Sequence, residues 1–422
     1  MTTNAGRPDF PAASPIEPPR DRWDRAAAAD RGELELLAYR SNLLGADRSV
    51  ANWGGGNTSS KVTETDYRGR ATRVLWVKGS GSDLGAIGPD QFTGLRLDDL
   101  QALGERADVS DEELVSYYEQ AAFRPRRPRA SIDTPLHSFL PATHVDHTHA
   151  DAIIALCAVP DGPELARRLW GEAAIWVPYE RPSFALGRRV GRAVAARPNA
   201  TLVLLAKHGL VTWGETQEEC YRSTIATIAR AAEALAERCD RRRVFPAVAP
   251  REANERRGAL VGSLPALRGA ISTRERAVLQ VDTSDEAAAF ASRPDLAELA
   301  ALGPSCPDHL IHTRRWPMVV DPGHAREPEE LAAAFRDGVT RYEAAYGAYL
   351  RRNGLVTGDA ETAPRVVLVR GIGIVTTGRD TAAARLAAGL YERARAVLAT
   401  TAGLGGFAPL TEGESFGVEY WP

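Results

Sequence analysis

The chain has 422 residues, 44% hydrophobic and 25% charged, with a formal net charge of −3. That length predicts two or three domains with real cores, and that composition excludes disordered, collagenous and coiled-coil classes. The near-neutral balance argues against nucleic acid or anionic lipid as partners, and no apolar run approaches the ~18–20 residues that span a bilayer.

In chain order, residues 1–21 are Pro-rich without an apolar h-region, and read as a disordered tail rather than a signal peptide. Leu34, Leu36, Leu37 and Leu43 then recur at helical spacing. Residues 51–81 read as a Gly-rich turn, a strand over Arg73–Lys78 and a second Gly/Ser loop. Asp111 to Gln120 predicts a helix, and Arg124 to Arg129 a solvated connector. His144 to Cys157 reads as a strand feeding a helix, and Thr201 to Ala206 as a buried strand. Thr216 and Glu219 form a capping box opening a helix that runs to about Arg242. Pro246 and Pro250 punctuate a linker over 246–269, which divides a first domain (22–245) from a second α/β region (270–422).

The two regions echo each other. Gly209, Val211, Thr212 and Gly214 match Gly373, Val375, Thr376 and Gly378 at one offset. Asp133, His137, Asp146 and His149 match Asp308, His312, Asp321 and His324 at another. These matches point to a degenerate repeat. In it, Pro322 and Ile372 stand where His147 and His208 stand, so the second copy is expected to hold no metal.

Five of the eight histidines lie between His137 and His208. In His147-Thr148-His149 the two imidazoles share one face of an extended segment. His208, in Lys207-His208-Gly209, follows a buried strand, and Gly209 lets the backbone turn behind it. Three neutral histidines with one open position form the pattern of a catalytic zinc site; the plain alternative is three unconnected histidines. Asp133 is read as a fourth ligand, a general base or a turn aspartate. His137, among Leu136, Phe139 and Leu140, reads as a hydrogen-bonded core residue. The loops Trp53–Ser59 and Lys78–Ser82 are anion-binding candidates, since their backbone N–H groups can converge on a phosphate. Neither fits a P-loop or a dinucleotide fingerprint. Lysine occurs only at Lys61, Lys78 and Lys207, in a chain that otherwise writes Arg, which hints at sites needing a compact point charge. The cysteines, Cys157, Cys220, Cys239 and Cys306, are far apart, as in a cytoplasmic protein without disulfides.

The ordered set Asn57-Thr58-Ser59, Lys78-Gly79-Ser80-Gly81, Asp133-x-x-x-His137, His147-x-His149 and Lys207-His208-Gly209 resembles the class II aldolase/adducin family. The segments Ser131–His137, His144–His149, Cys306–Thr313 and Val418–Trp421 further resemble the aldolase half of bifunctional rhamnulose-1-phosphate aldolase/short-chain dehydrogenase proteins. The resemblance implies an antiparallel sheet flanked by helices and a homo-oligomer, usually a tetramer. It implies Zn²⁺ held by His147, His149 and His208, with Asp133 as the catalytic acid or base. Gly56, Asn57, Ser80, Gly81 and Ser131, with Lys78, occupy positions like the family's phosphate and substrate pocket, where Ile132 departs from a commoner serine. The implied reaction is retro-aldol cleavage of a ketose 1-phosphate in rhamnose catabolism, L-rhamnulose 1-phosphate to dihydroxyacetone phosphate and L-lactaldehyde. The chain stops about where the dehydrogenase half is expected. Rival readings are a metal-dependent sugar-phosphate epimerase, a Schiff-base aldolase using Lys78 or Lys207, and a non-catalytic adducin-like interaction module.

Overall fold

The computed structural model describes residues 16–244, 250–272, 275–304, 306–323, 328–355 and 361–420. Seven strands build the first sheet: β1 (Asn57–Thr65), β2 (Ala71–Lys78), β3 (Phe92–Arg96), β4 (His144–Thr148), β5 (Ala174–Val177), β6 (Leu202–Leu205) and β7 (Gly209–Gly214). Their order is β3-β2-β1-β4-β7-β6-β5, antiparallel throughout except for the β5–β6 pair. Alternation along the strands supplies two faces. Leu202, Leu204 and Leu210 pack under helices Asp151–Ala158 and Gln217–Arg238, whereas Val145, Val203, Leu205 and Val211 pack under helix Phe184–Ala195. Thr216 and Glu219 cap helix Gln217–Arg238 reciprocally, as the capping box predicts.

The strand β1 escapes the hydrophobic pattern because its buried end is polar. Thr58 Oγ1 lies 2.7 Å from Ser41 Oγ, and Ser59 Oγ and Ser60 Oγ meet the Nδ1 atoms of His137 and His144 at 2.8 and 2.9 Å. Hydroxyls with partners can sit in a central strand at little cost, so polarity there does not mark a turn. Beneath it, Arg40 and Asp146, both fully buried, pair at 3.1 Å, and Arg40 also donates to Ser59 O.

The second sheet contains β8 (Val278–Asp282), β9 (Met318–Val320), β10 (Val366–Val369) and β11 (Gly373–Gly378) in the order β8-β11-β10-β9. β8 and β10 run antiparallel to β11, and β9 runs parallel to β10. This order and these orientations reproduce β4-β7-β6-β5. The β8–β11 register pairs Val281 with Val375, as β4–β7 pairs His147 with Val211. The second set of sequence matches is therefore out of register. The counterpart of His147 is Val281, not Pro322, and that of His208 is Ile372. His324 lies outside the described residues.

Two boundary expectations are corrected. Of the tail 1–21, Ile16 is buried in the first unit's core, and Asp21 accepts from Arg222 at 3.0 Å; residues 1–15 lie outside the described residues. Of the linker 246–269, residues 253–269 belong to helix Ala253–Ile271, which buries Leu260, Leu267 and Ile271 against the second sheet's helix Pro328–Arg352. Pro265 lies inside that helix. The two units share a core, where Ala396 and Val397 join the first unit's apolar cluster, and Arg393 reaches Asp151 at 3.3 Å. Among the described residues no helix is long and apolar enough to cross a membrane.

Candidate metal centre

Antiparallel pairing of β4 with β7 brings the H-x-H segment beside the K-H-G turn, so the three histidines meet. The His147–His149, His147–His208 and His149–His208 ring centroids are 4.8, 4.9 and 5.0 Å apart, and all three residues are buried. The Nε2 atoms of His147 and His149 face each other at 3.0 Å. Their Nδ1 atoms point outward, His147 to the carbonyl of Leu210 at 2.9 Å and His149 to the carboxylate of Asp308 at 2.6 Å. Both ring nitrogens of His208 lack a hydrogen-bond partner. A buried imidazole without a partner loses about 1–3 kcal/mol unless something else engages it. Two imidazoles turned Nε2-inward and a third with free nitrogens form a donor set that fits a zinc-sized cation.

Burial pushes His147 down to about 3 and His208 well below the usual histidine value, so both are neutral and competent to ligate. Burial opposes protonation of His149 as well, but the adjacent Asp308 carboxylate outweighs it and raises that imidazole.

The turn at His208 is not made by Gly209. The left-handed residue is Lys207, with φ of 54°. Gly209 serves close approach instead: a Cβ there would lie 2.5 Å from Thr148 O, 2.9 Å from His149 Cδ2 and 3.3 Å from His147 Cε1.

Asp133 precedes helix Thr134–Ser138, and its Oδ2 accepts from Asn57 Nδ2 at 3.0 Å while Oδ1 has no partner. Asn57 lies directly opposite His147 across β1–β4, which carries Asp133 toward the histidines. Burial raises the Asp133 carboxyl above its usual range. Gly56 has φ of 66°, and a Cβ there would press on His147 O. Ser131 Oγ accepts from the Asp133 backbone at 3.3 Å. Ser80 and Gly81 are exposed, Gly81 with φ of 77°.

Lys78 sits differently from a free anion ligand. Its buried amine donates at 2.8 Å to both Gly54 O and Ser82 O, tying the two Gly-rich loops together, and burial lowers it to about 8. Lys61 likewise caps Leu140 O and Ala142 O. Both lysines act as compact charges on converging carbonyls, which a planar guanidinium fits poorly. The sequence does not reveal the role of Asp308: it enters there as a repeat partner of Asp133 and within the Cys306–Thr313 resemblance, and no local signal ties it to His149.

Comparison with known proteins bears on the family of both units. The family model for the class II aldolase and adducin N-terminal domain matches residues 35–235, and that for the second domain of class II aldolase matches residues 259–422. The chain is 44% identical over 407 residues to the "Uncharacterized oxidoreductase YuxG" of Bacillus subtilis (strain 168), covering 95% of this chain and 59% of that protein. It therefore spans only about three-fifths of that curated relative. Among solved structures, the N-terminal class II aldolase domain of a conserved protein from Thermoplasma acidophilum is 36% identical, covering 51% of this chain and 98% of that one, with a TM-score of 0.48. An l-fuculose-1-phosphate aldolase from Thermus thermophilus is 15% identical, covering 51% and 93%, with a TM-score of 0.32. With one family model on each unit, the chain belongs to the class II aldolase/adducin family.

Proposed function

We propose that this protein is a zinc-dependent aldolase that cleaves a ketose 1-phosphate, L-rhamnulose 1-phosphate being the first substrate to test, into dihydroxyacetone phosphate and L-lactaldehyde. The observation that carries the reading is the convergence of three buried imidazoles, with His147 and His149 Nε2 3.0 Å apart and His208 lacking any other partner. His147, His149 and His208 would hold the cation. When bound, it supplies Lewis-acid polarisation of the substrate carbonyl.

The remaining roles belong to side chains and backbone. Asp133, with one carboxylate oxygen free and the other fixed by Asn57, accepts the proton of the substrate hydroxyl whose loss starts carbon–carbon cleavage. Burial, which raises its basicity, suits that work. The loops around Gly56 and Asn57 and around Ser80 and Gly81, with Ser131 beside them, are the proposed phosphate cradle. Binding energy there is remote from the reacting bond and positions it. Lys78 contributes by holding the two loops in register rather than by presenting a free amine. The proposed assembly is a homo-oligomer in the cytoplasm. The proposed domains follow the corrected boundaries, with the first unit ending near 244 and the second opening at the helix from Ala253.

The test is retro-aldol turnover of rhamnulose and fuculose 1-phosphates by metal-loaded protein. Release of dihydroxyacetone phosphate, lost on chelation and restored by Zn²⁺ or Co²⁺, supports the reading. Stereochemical inversion without release of a three-carbon product would make the protein an epimerase, and full activity without metal would overturn the reading.

A further inference from the structure

The two units pass differently from their second helix to the next strand. In the first, helix Gly162–Trp170 reaches β5 through a single turn, Gly171–Ala173. In the second, residues 303–317 intervene between helix Leu296–Leu302 and β9, and they carry an extra helix, Pro307–Thr313. That helix packs on the second unit's helices Thr381–Gly403 and Glu412–Glu419 and carries Asp308 to the first unit's His149. Three contacts seat it. Cys306 is buried in the first unit's core, His309 Nε2 lies 3.2 Å from Asn52 Nδ2, and Asp308 Oδ2 lies 2.6 Å from His149 Nδ1. Gly55 leaves the space, since a Cβ there would run into the Asp308 carboxylate.

We propose that Asp308, carried by the second unit's inserted helix, is a positioning residue for the metal site: it fixes the tautomer and orientation of His149, so metal retention by the first unit depends on the second. An imidazole that ligates through Nε2 carries its proton on Nδ1, and a carboxylate on that N–H holds the ring and strengthens its donor nitrogen. The three histidines differ in this respect. His147 has a backbone carbonyl behind it, His208 has nothing, and His149 alone has a charged partner. Asp308 also places a negative charge beside a site that is to hold a dication with three neutral ligands. The second copy thus lacks ligands of its own at Val281, Thr283 and Ile372 and supplies the first copy's outer carboxylate instead.

The inference rests on the metal reading above, and one titration separates the two. Zinc affinity of the full-length protein is measured by competition with a chromogenic chelator. If the wild type binds no zinc, the metal reading itself fails. If it binds one zinc, Asp308→Asn, nearly isosteric, is expected to weaken binding about 10–100-fold, with saturation still at one zinc per chain. Gly55→Ala keeps the carboxylate but displaces it, and is expected to weaken binding in the same direction. His312→Ala, on the same helix but leaving the Asp308–His149 hydrogen bond in place, is expected to retain wild-type affinity. Wild-type zinc affinity in both Asp308→Asn and Gly55→Ala would overturn the proposal. So would an equal loss in His312→Ala, since helix packing rather than the carboxylate would then be responsible.

Discussion

Lys207 and Gly371 occupy the equivalent turns of the two units, just before β7 and β11, and both hold left-handed backbone, with φ of 54° and 73°. The second unit uses the residue that adopts this conformation freely, and the first uses one that does not. A non-glycine residue there costs roughly 1–2 kcal/mol, and the Lys207 amine recovers little from Glu414, 3.8 Å away and partly exposed.

Lys207→Gly is accordingly expected to stabilise the protein by about 0.5–1 kcal/mol, the relieved strain less the greater freedom of glycine in the unfolded chain. Lys207→Ala keeps the strain and is expected to give no gain. Urea unfolding of the two variants checks this, and equal midpoints would show that the turn is not strained.

Gly209 is held by crowding. Gly209→Ala would drive a methyl group into Thr148 O and the His149 and His147 rings. The expected cost is about 1–3 kcal/mol of stability, with weakened zinc binding because the histidines are what must give way. Thermal unfolding and zinc titration of one sample should show both losses. Loss of stability with zinc affinity intact would mean that β7 moves instead.

Asp133→Asn is expected to lower kcat by about 10²–10⁴-fold, the usual worth of a general base, while zinc content stays near that of the wild type. The amide keeps the side chain's shape but cannot take the hydroxyl proton. Metal analysis alongside steady-state kinetics separates the roles: parallel loss of zinc would make Asp133 a ligand, and unchanged turnover would remove it from the reaction.

Lys61 predicts a pH dependence unrelated to catalysis. Burial lowers its pKa from 10.5 to about 7. Between those values the unfolded chain binds a proton that the folded protein does not, so stability rises with pH across that window. Below about pH 7 both states are protonated and the cost of burying the charge is fully present. The urea midpoint of the wild type is therefore expected to climb from pH 7 to 9 more steeply than that of Lys61→Met. Identical slopes would place the titration elsewhere.

The convergence of His147, His149 and His208 was legible in the sequence because its spacing is local. Two histidines two apart on β4 point together by the geometry of an extended chain, and His208 needs only one antiparallel pairing to join them. The capping box at Thr216 and the apolar run of β6 were equally readable, being short-range patterns. Other features depend on what packs against what. β1 is a central strand whose polarity is satisfied by Ser41, His137 and His144, partners that hydrophobic periodicity does not register. The repeat was detectable and its match of β7 to β11 holds, but the register of the H-x-H strand was not readable: Val278–Asp282 of β8 stands in its place, and only strand pairing aligns the two. Asp308 lies 159 positions from His149. Periodicity and motif spacing are set by bonds along the chain, whereas that carboxylate reaches its imidazole through the packing of one unit's inserted helix on the other's core, a contact decided by the tertiary structure alone.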